Sequence, residues 1–390
     1  MLSVEEARER VLAVTAPLTA EDVALEDALG RVLARDVVAA GNVPPFANSA
    51  MDGFAVTAGE AGRRIAIGGE SKAGSPSEVA AGEDCAIRIS TGAMLPDGAA
   101  GVVMVERTEE HDDGTVTIEV AVRDGENVRA AGEDMTAGER VLVAGTPIGA
   151  AEVGVAASAG AATLRCARQP RVAILGTGDE LVEPGAPLEP GQIHASNTLT
   201  LSALVVKAGG VVTHRAHVPD GREVTESAIR AALETADLLV LSGGVSVGPH
   251  DHVKPALAAC GVEEVFWRVA LRPGKPTWFG TRGPKLVFGL PGNPVSAMVT
   301  FLLFARPALR ALQGADPGVP KIVAKTGAPL PRTAHRDEMV RVTLKEGVAT
   351  PTGPQGSHVL TSMLGADGLA RVPAGDGDLP EGSDVEVELL

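Results

Sequence analysis

The chain has 390 residues, a formal net charge of −16 and 45% apolar residues, with seven Phe, two Trp and no Tyr. That length predicts two to four domains, and the shortage of aromatic side chains predicts cores packed with Ala, Val and Leu. The acidic balance argues against a nucleic-acid partner, because nucleic acid binds to basic surfaces.

The first 169 residues carry helical patterns around a β-rich stretch. Ser3 and Glu6 predict a capping box, and the apolar spacing predicts helix over residues 3–39. Residues 46–140 alternate short apolar runs with Gly and Asp turns, which is typical of a small β domain. The Ala-rich residues 148–160 predict another helix. The first predicted domain is a helical N-terminal base over residues 1–40 and 141–169. The second is an inserted β domain over residues 41–140.

The pattern changes at Pro170 to strands that alternate with helices. The apolar runs RVAILGT, VVTHRAHV, DLLVLS and KLVFGL are each followed by a turn and a helical pattern. This order predicts an α/β multidomain protein with a mostly parallel sheet and helices on both faces. Such sheets bind ligands at the carboxyl ends of their strands. After the linker GADPGVP, β alternation as in VRVTL predicts a small C-terminal β domain.

Two of these strand ends carry glycine-rich turns followed by a carboxylate. The first turn contains Gly176, Thr177 and Gly178, whose N–H groups can face an anion, with Glu180 as a general base or metal-side acid. A plain turn with a helix-capping acid is the alternative. The second turn is followed by Asp251, a candidate Mg²⁺ ligand beside a phosphate or simply an N-cap acid. It lacks the Walker A and GxGxxG patterns, and its Ser and Gly residues are Ser242, Gly243, Gly244, Ser246 and Gly248.

Two further turns favour oxyanion binding. Arg272 and Lys275 lie on a turn stiffened by two prolines, so little entropy is lost when they bind an anion. A solvated surface turn is the alternative. In PGNPVS, Pro294 predicts the first turn of a helix whose free N–H groups face an anion, and a rigid helix start without a ligand is the alternative. The loop NSAMDG alone is an ordinary polar turn.

In chain order the motifs are NSAMDG, STGA, TGDEL, SGGVSVG with an Asp three residues later, PGKP, GLPGNPVS and QGS. This series, over almost the whole chain, resembles the molybdopterin molybdenumtransferase family, which includes bacterial molybdenum-insertion proteins and the E domain of gephyrin. The resemblance implies a molybdopterin-binding α/β domain over residues 170–314 and a C-terminal β barrel over 315–390. It also implies a homodimer whose site combines the α/β domain of one subunit with the N-terminal β-rich region of the other.

The activity implied by the resemblance is Mg²⁺-dependent insertion of molybdate into adenylylated molybdopterin, with release of AMP. Asp220 and Asp251 match acids that serve the Mg²⁺-bound phosphate, and the implied catalytic acids are Glu180, Asp220, Asp251 and Asp52. The positions that match the molybdate site are Arg272, Lys275, Ser296, Arg336 and Ser357. The other implied substrate-binding positions are Thr91, Asp134, Gly176, Thr177, Gly178, Ser242, Gly243, Gly244, Ser246, Gly248, Pro291 and Pro294.

Some positions depart from the family pattern. Arg272 replaces a usual Lys, Ala195 replaces a common Asp, and Ala130 and Ala131 replace arginines. These departures leave open a degenerate paralogue that uses tungstate or has lost activity. Two other classes also stay open: a molybdopterin adenylyltransferase, which shares the α/β unit but is normally one small domain, and a non-catalytic scaffold. The expected partners are a second copy of the chain, the adenylyltransferase and apo-molybdoenzymes.

Cysteines and apolar runs bear on the compartment. Cys85, Cys166 and Cys260 are isolated and form no CxxC pair, so neither a disulfide framework nor a thiolate metal site is expected. The charged N-terminus argues against a secretory leader, and the apolar run 295–305 is too short to span a bilayer. We expect a soluble cytoplasmic protein without a membrane partner.

Overall fold

The computed structural model describes residues 1–245 and 252–390, and the chain within it divides into two units. The first comprises Met1–Glu21, Gly30–Ala34 and Arg165–Leu390, and the second comprises Asp22–Leu29 and Arg35–Leu164. The domain boundaries expected from the sequence stay a prediction. Each unit has its own hydrophobic core.

The N-terminal helix is much shorter than predicted. Helix α1 (Val4–Ala13) begins with the expected capping box, in which the Glu6 N–H donates to Ser3 Oγ at 3.1 Å and the Ser3 N–H donates to Glu6 Oε2 at 2.7 Å. The helix predicted beyond α1 was wrong. The chain continues with strand β1 (Ala20–Ala24), a 3₁₀ turn at Leu25–Asp27 and strand β2 (Val37–Val38).

The apolar spacing in this segment misled the helix prediction. Gly30 has a φ of +76°, which interrupts a right-handed helix, and Leu29 is 68% exposed while Ala28, Val32 and Leu33 are buried. The three buried side chains therefore lie on a turn and an extended segment, where tertiary packing covers them. Such a segment can bury residues three to four positions apart, just as one face of a helix does.

The second unit contains the predicted inserted β domain. Its main sheet has six strands in the order β7-β4-β6-β5-β9-β8. Phe54, Val103 and Ile118 pack on one face, and Ile87 and Val102 pack on the other. The elements after β2 are β3 (Asn48–Ser49), β4 (Gly53–Val56), β5 (Arg63–Ser71), β6 (Cys85–Ile89), β7 (Gly101–Met104), β8 (Thr108–Glu110), β9 (Thr115–Ile118), β10 (Val128–Arg129), β11 (Arg140–Leu142), α2 (Ala150–Ser158) and β12 (Thr163–Ala167).

The first unit contains an α/β region with one six-stranded sheet. Its elements are β13 (Arg171–Thr177), β14 (Leu181–Val182), β15 (Ile193–His194), α3 (Ser196–Lys207), β16 (Val211–Val218), α4 (Arg222–Thr235), β17 (Leu238–Ser242), α5 (Val253–Ala259), β18 (Glu263–Trp267), β19 (Leu271–Arg272), β20 (Trp278–Arg282), β21 (Lys285–Leu290), α6 (Pro294–Thr300) and α7 (Arg306–Leu312). A π-helical segment, Phe301–Ala305, joins α6 to α7.

The sheet order is β16-β13-β17-β21-β20-β18. The first four strands are parallel, and β20 and β18 add an antiparallel edge. Hydrophobic clusters cover both faces, so the predicted mostly parallel sheet is confirmed. The antiparallel edge was not predicted, because the tight turn at Gly283, with a φ of +57°, returns the chain as a hairpin without a crossover helix.

The helical stretch after β21 is longer than the apolar run suggested. Pro294–Leu312 is continuous for 19 residues and is long and apolar enough to cross a membrane, but 78% of its apolar window is buried inside the protein. It is one wall of the core that also includes Val4, Ala7 and Val11 of α1. This burial is that of a core helix.

The C-terminal region is a closed β barrel, as the resemblance implied. Its strands are β22 (Lys321–Thr326), β23 (Asp337–Lys345), β24 (Val348–Pro351), β25 (Gly368–Val372) and β26 (Asp384–Leu389). The pairing runs β23-β24-β22-β26-β25 and closes from β25 to β23. Helix α1 is tied to the barrel because Arg8 donates to the buried Glu388 at 3.0 Å and Arg371 donates to Glu5.

Candidate active site

A cavity of 440 Å³ lies at the carboxyl ends of three parallel strands, β13, β17 and β21. Parallel sheets bind ligands at this edge, where strand ends and helix starts meet. Most of its lining comes from motifs that the sequence singled out. The lining residues are Gly176, Thr177, Gly178, Glu180, Leu181, Ile193, His194, Ala195, Ser196, Asn197, Thr198, Asp220, Ser242, Gly243, Gly244, Gly292 and Pro294.

The turns after β13 and β16 each bring one predicted carboxylate to the cavity. Gly178 has a φ of +139°, a backbone conformation that other residues rarely adopt, so this turn favours glycine. The Asp220 N–H donates to Asp179 Oδ1 at 2.9 Å, which fixes the end of β16 beside this turn. Glu180 and Asp220 therefore line the same cavity. Ser246, Gly248 and Asp251 lie outside the described residues.

The glycine turn after β17 is held by a residue that sequence reasoning missed. Asn197, on α3, donates from Nδ2 to Ser242 Oγ at 2.9 Å and to the Gly292 carbonyl at 2.7 Å. One amide group thus joins three walls of the cavity. Gly244 has a φ of +64°, and a Cβ there would lie 2.4 Å from Val253 Cγ2. The signal available in the sequence was an amide at the start of a predicted helix, two residues after the Ala195 departure.

A second cavity, of 400 Å³, gathers all five residues predicted to bind molybdate: Arg272, Lys275, Ser296, Arg336 and Ser357. The loop 291–294 forms part of both cavities. Gly292 and Pro294 line the first cavity, whereas Pro291 and Asn293 line the second. The two cavities are therefore neighbours across one loop.

The cations of the second cavity differ in how far they are neutralised. Arg272 Nη1 lies 2.9 Å from Oε1 of Glu338, a buried carboxylate that also accepts from the Thr333 hydroxyl. Lys275 and Arg336 form no ion pair with any residue in the described part of the chain. An anion in this cavity is attracted mainly by these two unpaired charges.

The start of α6 differs from the prediction. The Val295 N–H donates to the Ser357 carbonyl at 3.1 Å, and Asn293 Nδ2 donates to Ser357 Oγ at 3.1 Å. Pro294 has no N–H, so the predicted row of free N–H groups was wrong at Val295. The helix start instead fixes the QGS loop, and the hydroxyl of Ser357 reaches the cavity from this loop.

Arg341, another residue that sequence reasoning missed, supports the same loop. Its side chain is 1% exposed, and burial lowers the pKa of its guanidinium to about 10. It donates to Ser362 Oγ at 3.1 Å and to the Gly356 carbonyl at 3.4 Å, and its N–H donates to Gln355 Oε1 at 2.9 Å. A charged residue within the apolar alternation VRVTL was the signal in the sequence.

Comparisons with known proteins agree with this geometry. Residues 2–160 match "MoeA N-terminal region (domain I and II)", 173–311 match "Probable molybdopterin binding domain" and 323–390 match "MoeA C-terminal region (domain IV)". A Haemophilus influenzae protein named "Molybdopterin molybdenumtransferase" is 40% identical over 80% of this chain and 78% of its own length. "Molybdopterin molybdenumtransferase 2" of Mycobacterium tuberculosis is 36% identical over 99% of both chains.

The chain belongs to the molybdopterin molybdenumtransferase family. A solved "molybdopterin biosynthesis moea protein" from Pyrococcus horikosii is similar over 100% of this chain and 99% of its own, with a TM-score of 0.84 and 31% identity. The multidomain α/β fold with a C-terminal barrel is thus that of the family.

The N-terminal motifs of the molybdenumtransferase family lie in the second unit. Asp52 Oδ1 accepts a 2.7 Å hydrogen bond from the Thr91 N–H, so NSAMDG and STGA are neighbours there. The Asp134 N–H donates to the Val43 carbonyl at 2.9 Å. Its carboxylate forms no hydrogen bond with Asp52 or Thr91. Asp52, Thr91 and Asp134 are all exposed.

The resemblance to molybdenumtransferases implies a bound Mg²⁺, and the described residues provide only part of a ligand set for this ion. Within residues 1–245 and 252–390, no group of three His, Cys, Asp or Glu side chains is placed to hold a metal ion. Glu180 and Asp220 nevertheless present exposed carboxylates to the first cavity. One or two carboxylates with waters and substrate phosphates are the usual set for Mg²⁺, so the donor chemistry fits.

Proposed function

We propose that this protein inserts molybdenum from molybdate into adenylylated molybdopterin, with Mg²⁺ bound and AMP released. As a member of its family, it is an enzyme that transfers molybdenum to molybdopterin. One observation carries the finer proposal: an acid-lined cavity and a cation-lined cavity adjoin across the loop 291–294.

The two substrates fit the two cavities by chemistry. The first cavity combines glycine turns, which let a ligand approach the backbone, with Glu180 and Asp220. We assign it the adenylylated molybdopterin. The second cavity presents Lys275 and Arg336, which form no ion pair within residues 1–245 and 252–390, together with Ser296 and Ser357. These donors complement molybdate, a tetrahedral dianion.

The reaction needs a water oxygen to bond to phosphorus while the bond to the departing phosphate oxygen breaks, which frees AMP. Glu180 lines the cavity, and we assign it the role of accepting a proton from that water. Asp220, with Asp251, would hold Mg²⁺, which when bound neutralises the phosphoanhydride oxygens. Lys275 and Arg336 hold molybdate close to the dithiolene sulfurs of the substrate. As the two sulfurs bond to molybdenum, one Mo–O bond breaks and that oxygen leaves as water with the two thiol protons, so no redox step and no Cys cluster are required.

The proposed partner is a second copy of the chain. Asp52 and Thr91 belong to the second unit and carry family motifs, and exposed apolar side chains of Phe46, Met51 and Met94 lie in or near the same motifs. Apolar side chains beside polar motif residues are suited to an interface. We propose that Asp52 serves the site of the partner subunit, and that the product passes to apo-molybdoenzymes in the cytoplasm.

The two other functions considered from the sequence are less well supported. An adenylyltransferase is normally one small domain. This chain also matches the N-terminal and C-terminal regions of the molybdenumtransferase family, which a single small domain would not contain. A non-catalytic scaffold has no need for the paired cavities.

The Ala195 departure removes a carboxylate from the first cavity, since Ala195 lines it at the start of α3 without a side-chain cap.

The test is direct. Purified protein is given adenylylated molybdopterin, molybdate and Mg²⁺, and AMP release and molybdenum bound to pterin are measured together. We expect both products in equal amounts, and neither when molybdate or Mg²⁺ is omitted. Pterin adenylylation from ATP by this chain, without molybdenum insertion, would instead identify an adenylyltransferase.

A further inference from the structure

Residues 178–195, here called the flap, form one side of the first cavity. The flap contains the short parallel strands β14 and β15, joined by hydrogen bonds from the Ile193 N–H to the Glu180 carbonyl and from the Ala195 N–H to the Val182 carbonyl. Six flap residues line the cavity: Gly178, Glu180, Leu181, Ile193, His194 and Ala195. The position of the Glu180 carboxylate therefore depends on how the flap is held.

Two other flap carboxylates are tied to the end of β16. Asp179 accepts the Asp220 N–H at 2.9 Å. Oε1 of Glu183 lies 3.3 Å from Nδ1 of His217. The carboxylate of Glu180, between these two, has no hydrogen bond or ion pair to another described residue, and Glu180 lines the cavity. Two carboxylates of the sequence DELVE thus act as anchors, and the third is left available for a substrate.

His217 is also linked to the cavity wall on its other side. Its Nε2 lies 3.2 Å from Oγ1 of Thr198, a 1% exposed residue of α3 that lines the cavity. A Cβ at Gly176 would lie 3.3 Å from His217 Cδ2 and 2.9 Å from Thr198 Cγ2, so glycine makes room for both side chains. With hydrogen on Nδ1, the imidazole turns an N–H towards the nearby Glu183 carboxylate, and its Nε2 accepts from the Thr198 hydroxyl.

We propose that His217 is a positioning residue of the first cavity, which fixes the flap through Glu183 and α3 through Thr198 and so sets Glu180 against the substrate. Neither His217 nor Glu183 touches the cavity itself, so their effect passes through Glu180 and Thr198. The part that concerns turnover rests on the proposed function, whereas the link between His217 and the flap does not.

Paired substitutions separate the two sides of the imidazole. The amide nitrogen of Asn takes the place of Nδ1 and that of Gln the place of Nε2, so His217→Asn keeps the Glu183 side and His217→Gln keeps the Thr198 side. Glu183→Gln keeps an acceptor for Nδ1–H, whereas Glu183→Ala does not. The matched controls are His214→Gln, an exposed histidine on the same strand, and Glu189→Ala, an exposed acid of the flap.

The first measurement is hydrogen exchange of the flap amides in the ligand-free protein, which reports local opening whatever the protein catalyses. We expect exchange about tenfold faster in Glu183→Ala and His217→Gln, and nearly unchanged in Glu183→Gln, His217→Asn and both controls. Thermal melting establishes that each variant is folded. Unchanged flap exchange in both folded Glu183→Ala and His217→Gln would overturn the proposal.

The second measurement is AMP release. We expect Glu183→Ala to lower kcat about tenfold with the KM for molybdate unchanged, because no flap residue is among the described residues that line the second cavity. We expect Glu183→Gln to restore kcat. A rise in the KM for molybdate with constant kcat would overturn the positioning role. If wild-type protein releases no AMP while flap exchange responds as expected, the proposed reaction fails and the link between His217 and the flap stands.

Discussion

Arg272 donates from Nη1 to Oε1 of Glu338 at 2.9 Å, and this carboxylate is only 6% exposed. The sequence shows Arg272 and Lys275 as two similar cations on one turn, but in the fold they differ. The charge of Arg272 is largely matched by Glu338, while Lys275 has no carboxylate partner among the described residues. Lys275 is therefore the cation more available to bind an anion, whereas Arg272 also stabilises the buried carboxylate of Glu338.

Loss of Lys275 or Arg336 should weaken molybdate binding. We expect Lys275→Ala or Arg336→Ala to raise the molybdate concentration for half-maximal AMP release by about tenfold or more, because each removes a charge-assisted contact. Affinity for the adenylylated pterin, measured separately, should change much less. Equal weakening of both ligands would show that the oxyanion site is misplaced.

Loss of Arg272 should lower stability as well as binding. In Arg272→Ala the Glu338 carboxylate stays buried without its cation, and we expect a loss of about 1–2 kcal/mol, limited by the solvent exposure of Arg272. Thermal unfolding measures the change. The double variant Arg272→Ala with Glu338→Gln is the control, because it removes the stranded charge and should recover much of the loss. Lys275→Ala should melt close to wild type.

Loss of the metal-side carboxylates should stop the reaction without unfolding the protein. We expect Asp220→Ala, and likewise Asp251→Ala, to lower AMP release at least about a hundredfold, since the phosphoanhydride oxygens lose their neutralising ion. Titration with Mg²⁺ and circular dichroism accompany the assay. Glu189→Ala, which removes an exposed acid outside the cavity, is the control. Unchanged turnover in a variant would remove its aspartate from the mechanism.

Mixed dimers test whether the site is shared between subunits. Suppose that Asp52→Ala and Asp251→Ala homodimers are each inactive. If Asp52 serves the site of the partner subunit, a mixed dimer has one site with both lesions and one with neither. Random exchange makes about half of all dimers mixed, so roughly a quarter of wild-type activity should return. Differently tagged chains must demonstrate the exchange. Exchange without recovery would contradict the shared site.

Asp237 lies at the amino end of β17, opposite the cavities, and should affect stability only. Burial alone would raise its pKa, but hydrogen bonds from the Arg168 side chain and the Arg171 N–H lower the pKa below its ordinary value of 3.8. Since the folded-state pKa is the lower one, the ionised carboxylate stabilises the fold above pH 3.8, and this contribution is lost as pH falls through the folded-state pKa.

The variant Asp237→Asn should therefore be less stable than wild type at pH 7, by about 2 kcal/mol, with the difference shrinking below about pH 4. Thermal melting across pH 2.5–7 measures it, and kcat for AMP release should be unchanged. A constant difference at all pH values would show that the effect is one of packing and not of ionisation.

Local chemistry explains which parts of the fold were predicted correctly. The capping box of Ser3 and Glu6, the strand–turn–helix order after Pro170 and the glycine turn at Gly178 all depend on residues a few positions apart. The helix predicted beyond α1 failed for the complementary reason. Apolar residues three to four positions apart can be buried on one face of a helix. Around Gly30 the same spacing is instead buried by a turn that packs on other parts of the chain.

The sequence by itself determined the order of the motifs and, through their resemblance, the family, because residue type and turn chemistry are local properties. That resemblance also implied the five residues that the structure brings together in the second cavity. Only the tertiary structure decided which of these groups are free to bind. Glu338, 66 positions along the chain, forms an ion pair with Arg272, and the Ser357 carbonyl accepts the hydrogen bond of the Val295 N–H. Asn197, His217 and Arg341 contact and support the loops that line the two cavities. A hydrogen bond or ion pair depends on distance in space, which spacing along the chain does not specify.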